Sequence, residues 1–352
     1  VRELPAHPLP ALQRARLEYL FEASSLLAKD WPWMSSDETC VYLLAPLVQW
    51  VVNCAEAPAA GFSRLEENFR GRPVFMRRGG TFDAAGKDLS TQELLARMPA
   101  AAHVDEPGAQ NSDLPSRHAW LLLGSLEGLM QYHAAFKGSS TEEWLSVAMH
   151  EFFHTRQLRL ASFATSLHLI NTRELDAKPL AALYVDDARY RALVRREYEL
   201  LVNAARASVG RAQALQVLRS WYALYRKRRA NLAARPEGAK LVQSDCLFTY
   251  VEGVARYVES TFLIVPDQHP SIAIPGDARF DHFARWENRG YAAMPNRQLD
   301  TEYYYAIGFH LGLLLDRVDP TWKRAVHEHD DWLIGSVQRS VAGSARRGSH
   351  AN

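Results

Sequence analysis

Apolar and polar positions follow two different rhythms along this chain. Residues 11–29 set Leu12, Leu17, Leu20, Phe21, Leu26 and Leu27 among charges, the spacing of an amphipathic helix. Between 38 and 78 the rhythm shortens. Residues 40–44, 48–52 and 73–76 are β-prone runs punctuated by Pro, Gly and Asn, so they predict strands. The first two read as a hairpin turning near Ala45-Pro46. A polar connection over 105–117 leads into another buried strand at 118–123. From Ser140 the texture turns helical: Ser140-Thr141-Glu142-Glu143 is a capping-box pattern directly before an apolar run. Helical patterning continues to about residue 230, a further helix opens near Ser244-Asp245 and runs to about Leu263, and two more cover roughly 301–317 and 320–340. Residues 265–300, rich in Pro and Gly, read as irregular.

These elements predict an α+β fold that is mostly helical. A small strand-rich N-terminal part is expected over 1–135, a large helical body over 136–342, and a tail of low apolar content, expected to be disordered, over 343–352.

The central motif is His150-Glu151-Phe152-Phe153-His154, an HExxH placed about two and a half turns into the capped helix. Positions i and i+4 share a helix face, so both imidazoles can reach one ion. Glu151 stands beside that ion, where it can take a proton from a water held there. Trp144, Leu145, Val147, Ala148, Met149, Phe152 and Phe153 make the helix apolar nearly all round, and such a helix is buried. Two histidines and a carboxylate in a buried helix are costly without partners, and a metal ion removes that cost.

Downstream, Tyr250-Val251-Glu252-Gly253-Val254-Ala255-Arg256-Tyr257 resembles the second metal helix of the gluzincin metallopeptidases, zinc aminopeptidases above all, whose pattern reads Asn-Glu-Gly-Phe/Leu-Ala-x-Tyr. The resemblance implies a zincin-like helical body, a Zn²⁺ cofactor, Glu252 as third ligand beside His150 and His154, and Glu151 as general base. It also implies a peptide or protein substrate. Val251 replaces the usual Asn. Gly253 costs about 1 kcal/mol inside a helix and is expected to serve a close approach. Glu259, one or two turns on, is expected either to orient a histidine or to form a surface ion pair. Tyr305-Ala306-Ile307-Gly308 resembles the Tyr-x-x-Gly of the same aminopeptidases, which implies a phenol donor to the developing oxyanion. Gly124-Ser125-Leu126-Glu127-Gly128 is a degenerate match to their Gly-x-Met-Glu-Asn strand, which would make Glu127 the partner of a substrate α-amine; an exposed turn glutamate is the alternative.

Spacing is the departure. The family puts about 18 residues between the second histidine and the third ligand, whereas 97 lie between His154 and Glu252. Glu174 is the rival, separated from His154 by 19 residues as in thermolysin-type enzymes, but Asn171-Thr172-Arg173-Glu174-Leu175-Asp176 lacks the flanks and runs into Pro179. Two other readings stay open: a scaffold that keeps zinc without catalysis, and a metallohydrolase of a non-peptide substrate. His310 is placed either facing the site or as a core histidine; His118 and His133 carry no pattern, and His327-Glu328-His329-Asp330-Asp331 reads as solvated.

Composition adds limits. The 41 Lys and Arg balance 40 Asp and Glu, so net charge gives no argument for a nucleic-acid partner, and none is expected. The densest basic stretch, Arg226-Lys227-Arg228-Arg229, reads as a solvated helix end. No apolar run reaches the roughly 18 residues of a membrane span. The opening Val1 fits export to the periplasm or beyond with a signal peptide removed, and fits trimming as well. Among three cysteines, Cys40 and Cys54 flank the predicted hairpin, so they are either a cross-strand disulfide or two half-buried thiols.

Overall fold

The computed structural model describes residues 7–32, 34, 39–54, 61–78, 81–83, 88–97, 100–104, 119–157, 160, 166, 169–170, 174–293, 299–326 and 332–348. The fold is α+β and mostly helical, and among the described residues the strands lie in the N-terminal region. The chain forms two compact units, residues 1–159 with 262–293 and residues 160–261 with 294–352.

In the first unit, α1 (Ala11–Leu27) precedes β1 (Cys40–Ala45) and β2 (Val48–Val52), which form the expected hairpin. Strands β3 (Ser63–Phe69) and β4 (Arg72–Arg78) follow, then the small pair β5 (Thr81–Asp83) and β6 (Asp88–Ser90), and α2 (Thr91–Arg97). Then come β7 (Ala100–Val104), β8 (Ala119–Gly124), α3 (Leu126–Tyr132) and α4 (Thr141–Gln157). Six strands make one sheet of order β3-β4-β2-β1-β8-β7, antiparallel except for the β1–β8 pair. That central pair explains the unbroken apolar runs: Val41, Leu43 and Leu44 of β1 and Leu121, Leu122 and Leu123 of β8 are all buried, as strands covered on both faces must be.

Cys40 and Cys54 are joined in a disulfide, with Cα atoms 4.5 Å apart. The β1–β2 register pairs Val41 with Val52, which by itself leaves Cys54 one residue out of step. Asn53 takes up that extra residue at φ 59°, a left-handed conformation that Asn tolerates better than most residues.

The start of α4 is fixed as the capping box requires. The Ser140 N–H donates to Glu143 Oε2 at 2.8 Å, and the Glu143 N–H donates to Ser140 Oγ at 3.2 Å. The loop at 277–283 bolts the same turn. Thr141 Oγ1 and Arg16 Nε both donate to Asp277 Oδ2, at 2.6 and 2.8 Å, and the Asp281 N–H donates to buried Glu142 at 2.6 Å. Further along, Trp144 Nε1 donates to the Gly124 carbonyl at 2.7 Å, and Phe152 and Phe153 pack edge-on against Phe21 and Trp31.

The second unit is a helical assembly of α5 (Lys178–Asp186), α6 (Ala188–Arg206), α7 (Arg211–Ala233), most of α8 (Gly238–Phe262), α9 (Tyr303–Val318) and α10 (Trp332–Gly348). Helix α10 carries the backbone through the first part of the segment for which a disordered tail is expected; residues 349–352 lie outside the described residues. Arg228 sits at the unit's centre, which corrects the solvated-end reading of its basic stretch. Its neighbours Arg226, Lys227 and Arg229 are exposed, but Arg228 is fully buried and donates to Glu197 at 2.8 Å and to Asp245. Tyr303 also donates to Asp245, at 2.6 Å, and shares a 2.6 Å hydrogen bond with Tyr190. Burial pushes Glu197 up to about 7 against the opposing pull of Arg228.

Candidate metal centre

Helix α4 delivers both histidines from one face. His150 and His154 are buried, and their Nε2 atoms stand 3.1 Å apart. His154 Nδ1 lies 2.9 Å from Gln157 Oε1. An amide oxygen only accepts, so Nδ1 carries the hydrogen and Nε2 keeps its lone pair. Glu151, half-buried, turns toward the sheet edge, where the Ala102 N–H of β7 donates to its Oε2 at 2.9 Å. The sheet thus fixes the carboxylate that lies between the two histidines in sequence.

Helices α8 and α9 hold a second group of residues. Glycine is required where they cross. A Cβ on Gly253 would lie 2.6 Å from the Gly308 Cα, and one on Gly308 would lie 2.5 Å from the Gly253 Cα. The two backbones are therefore in contact, which is the close approach expected of Gly253. One residue before Gly253 stands Glu252, and three before Gly308 stands Tyr305. The Tyr305 hydroxyl is hydrogen-bonded to the Glu252 carboxylate, and burial together with that carboxylate pushes the phenol well up from its usual range. Glu259 is buried and accepts two hydrogen bonds from Arg256 Nη1, at 2.9 and 2.8 Å. Its ion pair is therefore not on the surface. Arg256 also lies over the Tyr305 ring at 5.0 Å.

One ligand atom from each of His150, His154 and Glu252 lies within 4.8 Å of the other two, and among the described residues no other such group of His, Cys, Asp or Glu occurs. Glu174 is exposed and outside this group. Glu127 lies in the first turn of α3, where Ser125 caps the helix. Its carboxylate accepts from Arg16 Nη1 at 2.7 Å and from Gln13. His310 is a buried core histidine: Nδ1 donates to the Ala306 carbonyl at 2.7 Å, and burial pushes the ring down to about 4. His133 packs edge-on against Phe136. His118, Asn171 to Arg173 and the stretch from His327 to Asp331 lie outside the described residues.

Three contributors were missed in the sequence. Gln157 had a readable signal, an amide three residues after the second histidine and so on the same helix face. Arg228 had one too: Trp221, Tyr225 and Leu232 lie seven and three residues before it and four after, all apolar and all buried. The Ala102 amide had none, because strand pairing across 49 residues decides it. The chain matches no protein-family model, no curated protein and no solved structure.

Proposed function

We propose that this chain is a zinc-dependent hydrolase acting on peptide bonds, with His150, His154 and Glu252 as metal ligands and Glu151 as general base. The convergence of these three ligand atoms is the observation that carries the reading. The donors fit the ion. Two ligands about 2.0–2.1 Å from a tetrahedral zinc lie about 3.3 Å apart, and the imidazole Nε2 atoms stand at 3.1 Å. Two nitrogens and one carboxylate are a catalytic donor set, whereas structural sites usually close with cysteine. Cys40 and Cys54 are already bonded to each other.

A zinc ion held there by His150, His154 and Glu252 would supply Lewis acidity, making the attacking water more acidic and the scissile carbonyl more electrophilic. The protein's own groups do the rest. Gln157 keeps His154 in the tautomer that presents its Nε2 lone pair. Glu151, oriented by the Ala102 amide, takes a proton from the attacking water and returns it to the departing amine. Tyr305 turns its hydroxyl to the oxygen on which negative charge develops.

Metal analysis and turnover test this together. Purified protein is expected to hold about one zinc per chain. His150→Ala and His154→Ala lose it, while Glu151→Gln keeps it and hydrolyses neither casein nor a mixed peptide library. Full activity in Glu151→Gln overturns the mechanism, and metal-free wild type that cannot be loaded with zinc overturns the reading as a whole.

A further inference from the structure

The near-neutral charge of the whole chain hides a segregation. Residues 188–235 hold twelve Lys and Arg against two Glu, leaving 29 cations and 38 carboxylates for the rest. This segment is the helix pair α6–α7 and the two residues after it, two packed helices joined by residues 207–210 and therefore antiparallel. Their apolar faces, with Val194 and Leu201 on one and Leu218 and Trp221 on the other, are buried in the second unit. On the outward positions stand Arg189, Arg195 and Arg196 of α6 and Arg219, Arg226 and Lys227 of α7, all exposed. Arg189 and Arg196 are two turns apart, as are Arg219 and Arg226, so each helix carries a stripe. Positions equidistant from the connection lie at the same level of an antiparallel pair, so the span from Arg189 to Arg196 overlaps that from Arg219 to Arg226 along the axis. Of the two acids, Glu197 is buried against Arg228, and Glu199 alone is exposed.

We propose that this face binds the phosphate backbone of a nucleic-acid duplex. Charge complementarity is the first argument: a duplex presents about one negative charge per 1.7 Å of axis, and cations standing on rigid helices match a rigid array. Side-chain type is the second. Five of these six cations are arginines, whose planar forks grip phosphate with two hydrogen bonds. The residues between them are the third. Ala192, Asn203, Gln216 and Ala223 are exposed, small or polar, and allow a backbone to approach closely. A lipid surface instead takes helices that offer an apolar face, and the exposed large apolar side chains of the described residues, Leu47, Val185 and Ile272, all lie off α6 and α7. This surface goes beyond the hydrolase reading and does not depend on it, since it uses none of the residues assigned to the metal or the base.

The test is fluorescence anisotropy of a labelled 20-base-pair DNA duplex titrated with the full chain between 50 and 200 mM salt. Six neutralised phosphates give a log–log salt slope of about −5. The triple variant Arg196→Glu, Arg226→Glu, Lys227→Glu is expected to bind at least a hundredfold more weakly with a shallower slope, while its thermal transition and zinc content match wild type. The proposal is overturned if wild type does not bind at 50 mM salt or if the variant binds as well as wild type. It is equally overturned if the chain takes phosphatidylglycerol vesicles or poly-glutamate in preference to the duplex.

Discussion

The crossing of α8 and α9 makes a quantitative demand on Gly253. In Gly253→Ala the new methyl would sit 2.6 Å from the Gly308 Cα and 3.0 Å from the Tyr304 carbonyl oxygen. Carbon atoms rest at about 3.5–4.0 Å, so the helices must part by about 1 Å. Both obstacles are backbone, and no side chain can rotate away. Overpacking of this kind costs about 1–3 kcal/mol, while replacing a helical glycine by alanine returns about 1 kcal/mol. The net loss of stability is therefore small, about 2 kcal/mol at most. The loss of function is expected to be larger, because Glu252 and Tyr305 ride on the two helices that separate. A misplacement of about 1 Å can lower a rate about a hundredfold. Urea denaturation gives the first quantity, and casein hydrolysis well below the thermal transition gives the second. Gly210→Ala is the control. No atom lies within 4 Å of its Cβ position, and its φ of −70° suits any residue, so stability should move by no more than about 0.5 kcal/mol. If Gly253→Ala is as stable and as active as wild type, the glycine contact does not hold these two residues in place.

Other perturbations discriminate among the remaining assignments. Glu252→Ala is expected to weaken zinc binding in chelator competition far more than Glu174→Ala; the reverse order returns the third ligand to the thermolysin-type spacing. Tyr305→Phe should lower kcat about a hundredfold with zinc affinity unchanged. An effect on zinc affinity alone would make Tyr305 a support for Glu252, and no effect would make it packing. Glu142 supplies a pH test. Burial pushes its carboxyl from 4.5 to about 7. Its folded pKa thus exceeds the unfolded one, so its contribution is full below 4.5 and is lost as pH rises through 7. The loss is up to ~3 kcal/mol. Urea stability measured at pH 4.5 and at pH 8 should therefore differ less in Glu142→Gln than in wild type. An undiminished difference refutes the assignment to Glu142.

What could be read from the chain divides by the range of the interactions involved. The capping box, the i and i+4 histidines and the hairpin are local, and local chemistry decides them: Ser140 and Glu143 close their reciprocal bonds, and β1 turns into β2 near Ala45-Pro46. The parallel pairing of β1 with β8 was invisible, because nothing near Val41 says that Leu121 will lie beside it. Helices α2 and α3 were missed because each is two turns long, too short for an apolar period to show. Glu127 reads as a substrate-amine partner or a turn glutamate after the strand for the same reason, although Ser125 ahead of it is a ready N-cap. Arg228 was misjudged by reading four cations as a run; counted at helical spacing, it falls on the face of Trp221 and Tyr225. The disulfide is open in the sequence because the redox compartment is unknown. In the structure the left-handed turn at Asn53 brings Cys54 to Cys40.

The wide gap between His154 and Glu252 is the chief sequence argument against the proposed ligand set, and its energetic weight is small. Loop-closure entropy grows only with the logarithm of length. Lengthening a connection from about 18 to 97 residues adds about 1.5 kcal/mol if the added chain is flexible. Most of it here is not flexible. Helices α5, α6 and α7 occupy the greater part of the interval, and they bury their own core around Leu218, Trp221 and Tyr225 and their own charges in the Arg228 network. A folded insertion contributes closure through its own end-to-end geometry rather than through random-coil statistics. A ligand set therefore requires only that the insertion return α8 in the right place. In the proposed ligand set, what marks Glu252 is then its helix, where glutamate precedes a glycine whose missing side chain admits α9, and not its distance along the chain from the histidines.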